Sequence, residues 1–156
     1  MNWDAIGAIG EIIGASAVVV SLVYLALQIR SQNTQAKLAA LREMSRELRG
    51  TTAMFATRDM SGIFVRANED YNSLSDAESV QLIVLVTNIF RAWENAFLES
   101  RIGNLDENVW QALSRDYTQT MGIPSFQHIW ALRKQNYDSG FQKYVDSIDA
   151  LDYVVR

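Results

Sequence analysis

The stretch that decides the fold is IGAIGEIIGASAVVVSLVYLALQIR, which runs from Ile6 to Arg30. Between Ala5 and Ile29 the only charged side chain is Glu11. A helix of this length would measure roughly 37 Å, which exceeds the ~30 Å hydrocarbon core of a bilayer. The stretch therefore predicts a transmembrane helix within residues 1–30.

Glu11 is the one residue that opposes membrane insertion. The valines, isoleucines and leucines of the stretch together favour insertion by about 5 kcal/mol, whereas one carboxylate costs about 3 kcal/mol at the centre of a span. The span is therefore expected to insert. Three roles for Glu11 stay open: a buried contact between helices, a polar pocket near the outer interface, or a cation or proton path.

Small residues recur along one face of this predicted helix. Gly7, Gly14 and Ser21 are spaced by seven residues, and Gly10 and Ala17 interleave with them. Small residues at these spacings allow two membrane helices to approach closely. We expect the face to mediate homo-oligomerisation, although glycine and alanine are also common in membrane helices that do not associate.

Basic residues follow the span and do not precede it. The positive-inside rule therefore predicts an N-terminus outside the cytoplasm and a C-terminal part in the cytoplasm. The basic residues of segment 31–58 are Lys37, Arg42, Arg46, Arg49 and Arg58.

The composition excludes several classes of function. There is no cysteine and only one histidine, His128, so thiolate zinc sites and histidine-rich metal sites are excluded within one chain. Residues 59–156 carry 8 basic and 14 acidic side chains, which would repel a nucleic acid backbone. We expect no metal, no cofactor and no nucleic acid partner.

The sequence pattern predicts helices for the rest of the chain. Residues 31–57 are expected to extend the transmembrane helix, and residues 58–156 to form a cytoplasmic bundle, which gives an all-α fold with roughly five to seven helices in all. A short helix is predicted near 59–68, and Ser75 and Glu78 form a capping box before a long apolar helix. Gly103, Asp106 and the Gly122–Pro124 turn separate the later helices, and the last helix is expected at about 138–152.

One cluster of residues could bind a ligand. Arg91 and Glu94 are three positions apart and can pair along a helix, and several aromatic side chains could enclose a pocket beside them. The alternative is that the tryptophans fill the core and the polar groups join helices. The candidate pocket consists of Arg91, Trp93, Glu94, Trp110, His128 and Trp130.

The segments Trp3–Thr34, Arg91–Trp110 and Gly122–Trp130 resemble a widespread family of uncharacterised bacterial single-span membrane proteins. The family pattern joins an N-terminal GAIGEIxGAxAVVxSLxYLAxQIR segment to a helical domain with RxWENxF and GxLDExxW. The resemblance implies a bacterial membrane protein with one span, and with the orientation predicted above we expect this span in the inner (cytoplasmic) membrane. It implies no particular activity.

Three functions are compatible with these observations. The leading expectation is a scaffold or partner-binding module without catalytic activity, whose partners are the lipid bilayer, copies of itself and another membrane protein. One alternative is an oligomeric channel or pore with Glu11 near its mouth. The other is a ligand sensor or enzyme that uses Arg91, Glu94 and His128.

Overall fold

The structure is a computed structural model that describes residues 3–152, apart from the side chains at positions 4–6, 40, 43, 44, 47, 48 and 51. The described residues form six α-helices and two short 3-10 helices, without a β-strand, so the all-α prediction is confirmed. The α-helices are α1 (Trp3–Phe55), α2 (Arg58–Glu69), α3 (Asp76–Arg101), α4 (Glu107–Thr120), α5 (Pro124–Arg133) and α6 (Ser139–Asp146), and the 3-10 helices are Tyr71–Ser73 and Lys134–Asn136.

The chain divides into two compact units, Met1–Ala40 and Leu41–Arg156. In the first unit, the α1 segment Gly7–Ala39 is long and apolar enough to cross a membrane, judged by length and composition. Every side chain of this segment is exposed, and Ile12 and Val20 are 67% and 68% exposed. The structure therefore contains the predicted N-terminal helix, and this helix is a candidate membrane span.

The core of the second unit is built on α3. Leu82, Val86, Phe90 and Trp93 are almost fully buried, and their spacing of three to four residues places them on one stripe of the helix. This stripe packs against side chains from α2, α5 and α6. The buried contributors from those helices are Met60, Ile63, Phe126, Ile129, Phe141 and Val145.

Local sequence signals set most helix ends. The Ser75–Glu78 capping box is present, with the Glu78 carboxylate accepting from the Ser75 backbone N–H at 2.9 Å. Gly103 has a φ of +73°, a conformation that glycine adopts without steric cost, and it follows the end of α3. Pro124 occupies the first turn of α5, where its missing N–H costs no helical hydrogen bond.

The last helix is shorter than the sequence predicts. α6 ends at Asp146 and Ser147 caps it, so the expected extension to about residue 152 is wrong. The chain then turns, and the backbone N–H of Leu151 donates to the Thr118 carbonyl at 3.3 Å. A contact with α4 therefore replaces the last helical turns.

Candidate functional site

The small-residue face lies on the exposed part of α1. A Cβ atom added at Gly7, Gly10 or Gly14 would meet no other atom within 4 Å. Ser21 donates its hydroxyl to the carbonyl of Ala17 at 2.8 Å, so its polar group is satisfied within the helix. No other described residue covers these three glycines, and the role of the face in oligomerisation stays a prediction.

Glu11 is exposed on the same helix. Glu11 lies four positions after Gly7 and three before Gly14, so the three residues share one side of α1. A second helix that approached the glycines would therefore meet the carboxylate at the edge of the contact. Its three possible roles stay predictions.

Arg91 and Glu94 form the predicted pair on α3. Their side chains are 2.7 Å apart, from Nη1 of Arg91 to Oε2 of Glu94. The other oxygen of Glu94 accepts the backbone N–H of Asp138 at 2.6 Å. The Arg91 guanidinium also donates to the Asn136 carbonyl at 3.0 Å and lies 4.3 Å from the centre of the Tyr137 ring. The pair therefore joins α3 to the turn that leads into α6.

Trp93 and Trp110 belong to the aromatic packing of the bundle. The Trp93 ring stacks on Tyr117 with centroids 4.0 Å apart, and burial raises the pKa of Tyr117 far above its usual value. Trp110 packs against Tyr144 at 5.3 Å and Phe97 at 6.1 Å. These contacts are the close contacts of a protein interior.

Trp130 is buried, and its indole N–H donates to Oδ1 of Asp146 at 2.8 Å. The second oxygen of Asp146 accepts from Lys134 at 3.0 Å. The hydrogen bond from Trp130 is the largest cause of a lowered pKa of the Asp146 carboxyl, and the contact with Lys134 lowers this pKa further. The three side chains join α5 and the following 3-10 helix to α6.

His128 is exposed, and the centroid of its ring lies 3.9 Å from the centroid of the Tyr71 ring. Burial raises the pKa of the Tyr71 hydroxyl, and the charge of Arg133 partly offsets this. Among the described residues, no hydrogen bond or ring contact joins His128 to Arg91 or Glu94. The structure thus brings Arg91 and Glu94 together and leaves His128 in a different contact.

Sequence reasoning missed the backbone partners of the Arg91–Glu94 pair, which are Asn136 and Asp138. It also missed Asp146, the shared acceptor of Trp130 and Lys134. Asp138 carried one available signal, since Asp is a preferred residue at a helix N-cap. Its side chain does cap α6, accepting from the N–H groups of Gly140 and Phe141.

No group of three or more His, Asp or Glu side chains in the described residues is arranged to hold a metal ion. Comparisons of the chain with protein-family models, curated proteins and solved structures gave no match.

Proposed function

We propose that this protein is a single-span protein of the bacterial inner membrane that associates with copies of itself and binds partner proteins, without catalysing a reaction. Its N-terminus lies outside and its helical bundle lies in the cytoplasm. The observation that carries the proposal is the candidate span Gly7–Ala39 of α1, which contains the apolar stretch up to Ile29 and in which every residue is exposed.

Exposure of this segment to water would be costly. Burying a Val, Leu or Ile side chain is worth about 1.5–3 kcal/mol. The bundle has a separate core on α3 and uses none of the side chains of Gly7–Ala39 to build it. A bilayer would remove this surface from water, which supports membrane insertion.

The glycines support self-association. A glycine within a helix costs about 1 kcal/mol relative to alanine in water. At Gly7, Gly10 and Gly14 nothing in the described chain requires the absence of a side chain, because an added Cβ would lie in open space. A second helix could approach closely at these positions because the glycines carry no side chain, and membrane helices associate through small residues.

The orientation and the cellular location rest on sequence. Basic residues follow the span and the positive-inside rule places them in the cytoplasm. The resemblance to bacterial single-span proteins supports the inner membrane. The polar groups of Arg91, Glu94 and Trp130 form contacts between helices of the bundle, which supports a role for these side chains in packing rather than in catalysis.

Cysteine labelling tests the location and orientation, because the chain contains no cysteine of its own. Trp3→Cys and Ser147→Cys, made separately, would be exposed to a membrane-impermeant maleimide. We expect labelling of Trp3→Cys in intact cells and of Ser147→Cys only after permeabilisation, with the protein retained in the membrane after alkaline extraction. Recovery in the soluble fraction, or labelling of Ser147→Cys in intact cells, would contradict the proposal.

A further inference from the structure

A groove of about 400 Å³ opens on the bundle where the end of α1, the start of α2 and one side of α3 meet. Its apolar lining comes from Met54, Met60, Val80, Val84 and Leu85. Leu85 and Met60 belong to the core and form the floor. The volume falls at the low end of the ~300–1,000 Å³ of typical ligand sites, which suits a few inserted side chains.

The walls of the groove expose aliphatic side chains that the fold does not use. Val80 and Val84 on α3 are 60% and 55% exposed, and Met54 at the end of α1 is 53% exposed. Valine is also a poorer helix former than most residues on an exposed helix surface. A binding partner that covered these side chains would remove their apolar surface from water.

Among the described residues that line the groove, Asp59 is the only one with a charged side chain. Within the described part of the chain, Asp59 forms no ion pair, and no basic side chain lines the groove beside it. The amides of Gln81 and Asn88 lie at the edge on α3, also without hydrogen-bond partners among the described residues. The groove is therefore complementary to an aliphatic body that carries one positive charge and hydrogen-bonding groups.

The length of the groove fits two turns of a helix. Val80 and Asn88 both line it and are eight residues apart on α3, which corresponds to roughly 12 Å. An amphipathic helix presents side chains at i, i+4 and i+7 over a similar distance when it binds in an apolar groove.

We infer that this groove binds an amphipathic helix of a partner protein, with aliphatic side chains packed against Val80 and Val84 and a lysine or arginine paired with Asp59. The inference rests on the proposed partner-binding function and identifies its site. Lipid chains and a second copy of this protein are the alternative occupants, which cross-linking distinguishes. The aliphatic part of a lipid offers no basic group to pair with Asp59.

Photo-cross-linking of the full-length protein in its membrane tests the inference. A benzoylphenylalanine at Val84 is expected to form an adduct whose cross-linked segment, identified by mass spectrometry, is an amphipathic helix with a basic residue. Benzoylphenylalanine at Gln81 serves as a second probe, because the bulky group at Val84 could itself block the groove. Leu98 is the matched control position, because it lies on the same helix, is 41% exposed and does not line the groove.

Charge variants supply the second part of the test. Asp59→Asn is expected to lower the adduct yield at Val84 at least fivefold. Asp76→Asn is the matched control, because both residues lie in the first turn of a helix and only Asp59 lines the groove. The control should leave the yield unchanged.

Three outcomes would overturn the inference: no adduct at either groove position, an adduct with lipid or with a second copy, or a yield that Asp59→Asn does not change. Fractionation of the same cells separates this failure from failure of the proposed function. If the protein is embedded in the membrane but forms an adduct only at Leu98, the proposed partner binding stands and the groove is not its site. A soluble protein would contradict the membrane proposal itself.

Discussion

The backbone N–H of Asp138 donates to a carboxylate oxygen of Glu94 across 2.6 Å, although the two residues lie 44 positions apart. Glu94 is only 8% exposed, and its second oxygen accepts from Arg91. One carboxylate thus satisfies a backbone donor at the start of α6 and a guanidinium on α3. The contact fixes the position of α6 against the central helix.

Replacement of this carboxylate should destabilise the bundle. Glu94→Ala is expected to lower the free energy of unfolding by about 2–3 kcal/mol, because it leaves the Asp138 N–H without its acceptor and removes one of the two acceptors of the Arg91 guanidinium. Urea unfolding of the full-length protein in nanodiscs, followed by tryptophan fluorescence, measures this. The control is Glu99→Ala on the same helix, which loses only a surface hydrogen bond with Asn104 and should change stability by less than about 0.5 kcal/mol. Equal effects of the two variants would contradict a special role of Glu94.

Two glycines should respond to alanine in opposite directions. A Cβ at Gly122 would collide with the backbone carbonyl of Leu151, so Gly122→Ala is expected to cost about 1–3 kcal/mol and to loosen the segment after α6. At Gly62, inside α2, the nearest atom is the far end of Arg66 at 3.9 Å, so Gly62→Ala should stabilise by about 0.5–1 kcal/mol.

The same unfolding experiment checks both variants, and hydrogen exchange at the Leu151 amide reports the loosened segment. A neutral or stabilising Gly122→Ala would show that the contact with Leu151 is not formed in solution.

The lowered pKa of Asp146 makes part of the stability depend on pH. Because this pKa is lower in the folded state than in the unfolded state, the charge of Asp146 stabilises the fold above the ordinary carboxyl pKa of about 3.9. The contribution is lost as the pH falls through the folded-state pKa. Asp146→Asn should therefore be less stable than the wild type at pH 7, by less than about 1 kcal/mol since the side chain is partly exposed.

The stability gap between wild type and Asp146→Asn should begin to narrow below about pH 4 and close as the pH passes the lower pKa of the folded state. Urea unfolding at pH 7, 5 and 3 measures it. Asp149→Asn is the control, because Asp149 is exposed and lies beyond the end of α6. A gap between wild type and Asp146→Asn that did not depend on pH would contradict the assigned cause.

Features that depend on neighbouring residues could be predicted from the sequence. The capping box at Ser75 and Glu78, the end of α3 near Gly103 and the start of α5 at Pro124 all follow from the local preferences of those residues. The pairing of Arg91 with Glu94 also follows from helical spacing alone.

Contacts between distant segments could not be predicted in this way. The bonds from Asp138 to Glu94 and from Trp130 to Asp146 require knowledge of how α6 packs, and periodicity does not contain it. The early end of α6 has the same origin, because the competing bond goes from Leu151 to Thr118 in α4. The groove beside Val84 also depends on the placement of three helices.

The mass of the protein in nanodiscs, compared between wild type and Gly10→Leu/Gly14→Leu, tests self-association through the small-residue face most directly. Ala8→Leu/Ala15→Leu is the matched control, since it enlarges small residues on a different side of α1. We predict an oligomer for the wild type and the control, and a monomer for the glycine double variant. A pore with Glu11 at its mouth would further require at least about four chains. A monomer in all three samples, or an oligomer that the glycine substitutions leave intact, would contradict the proposed assembly.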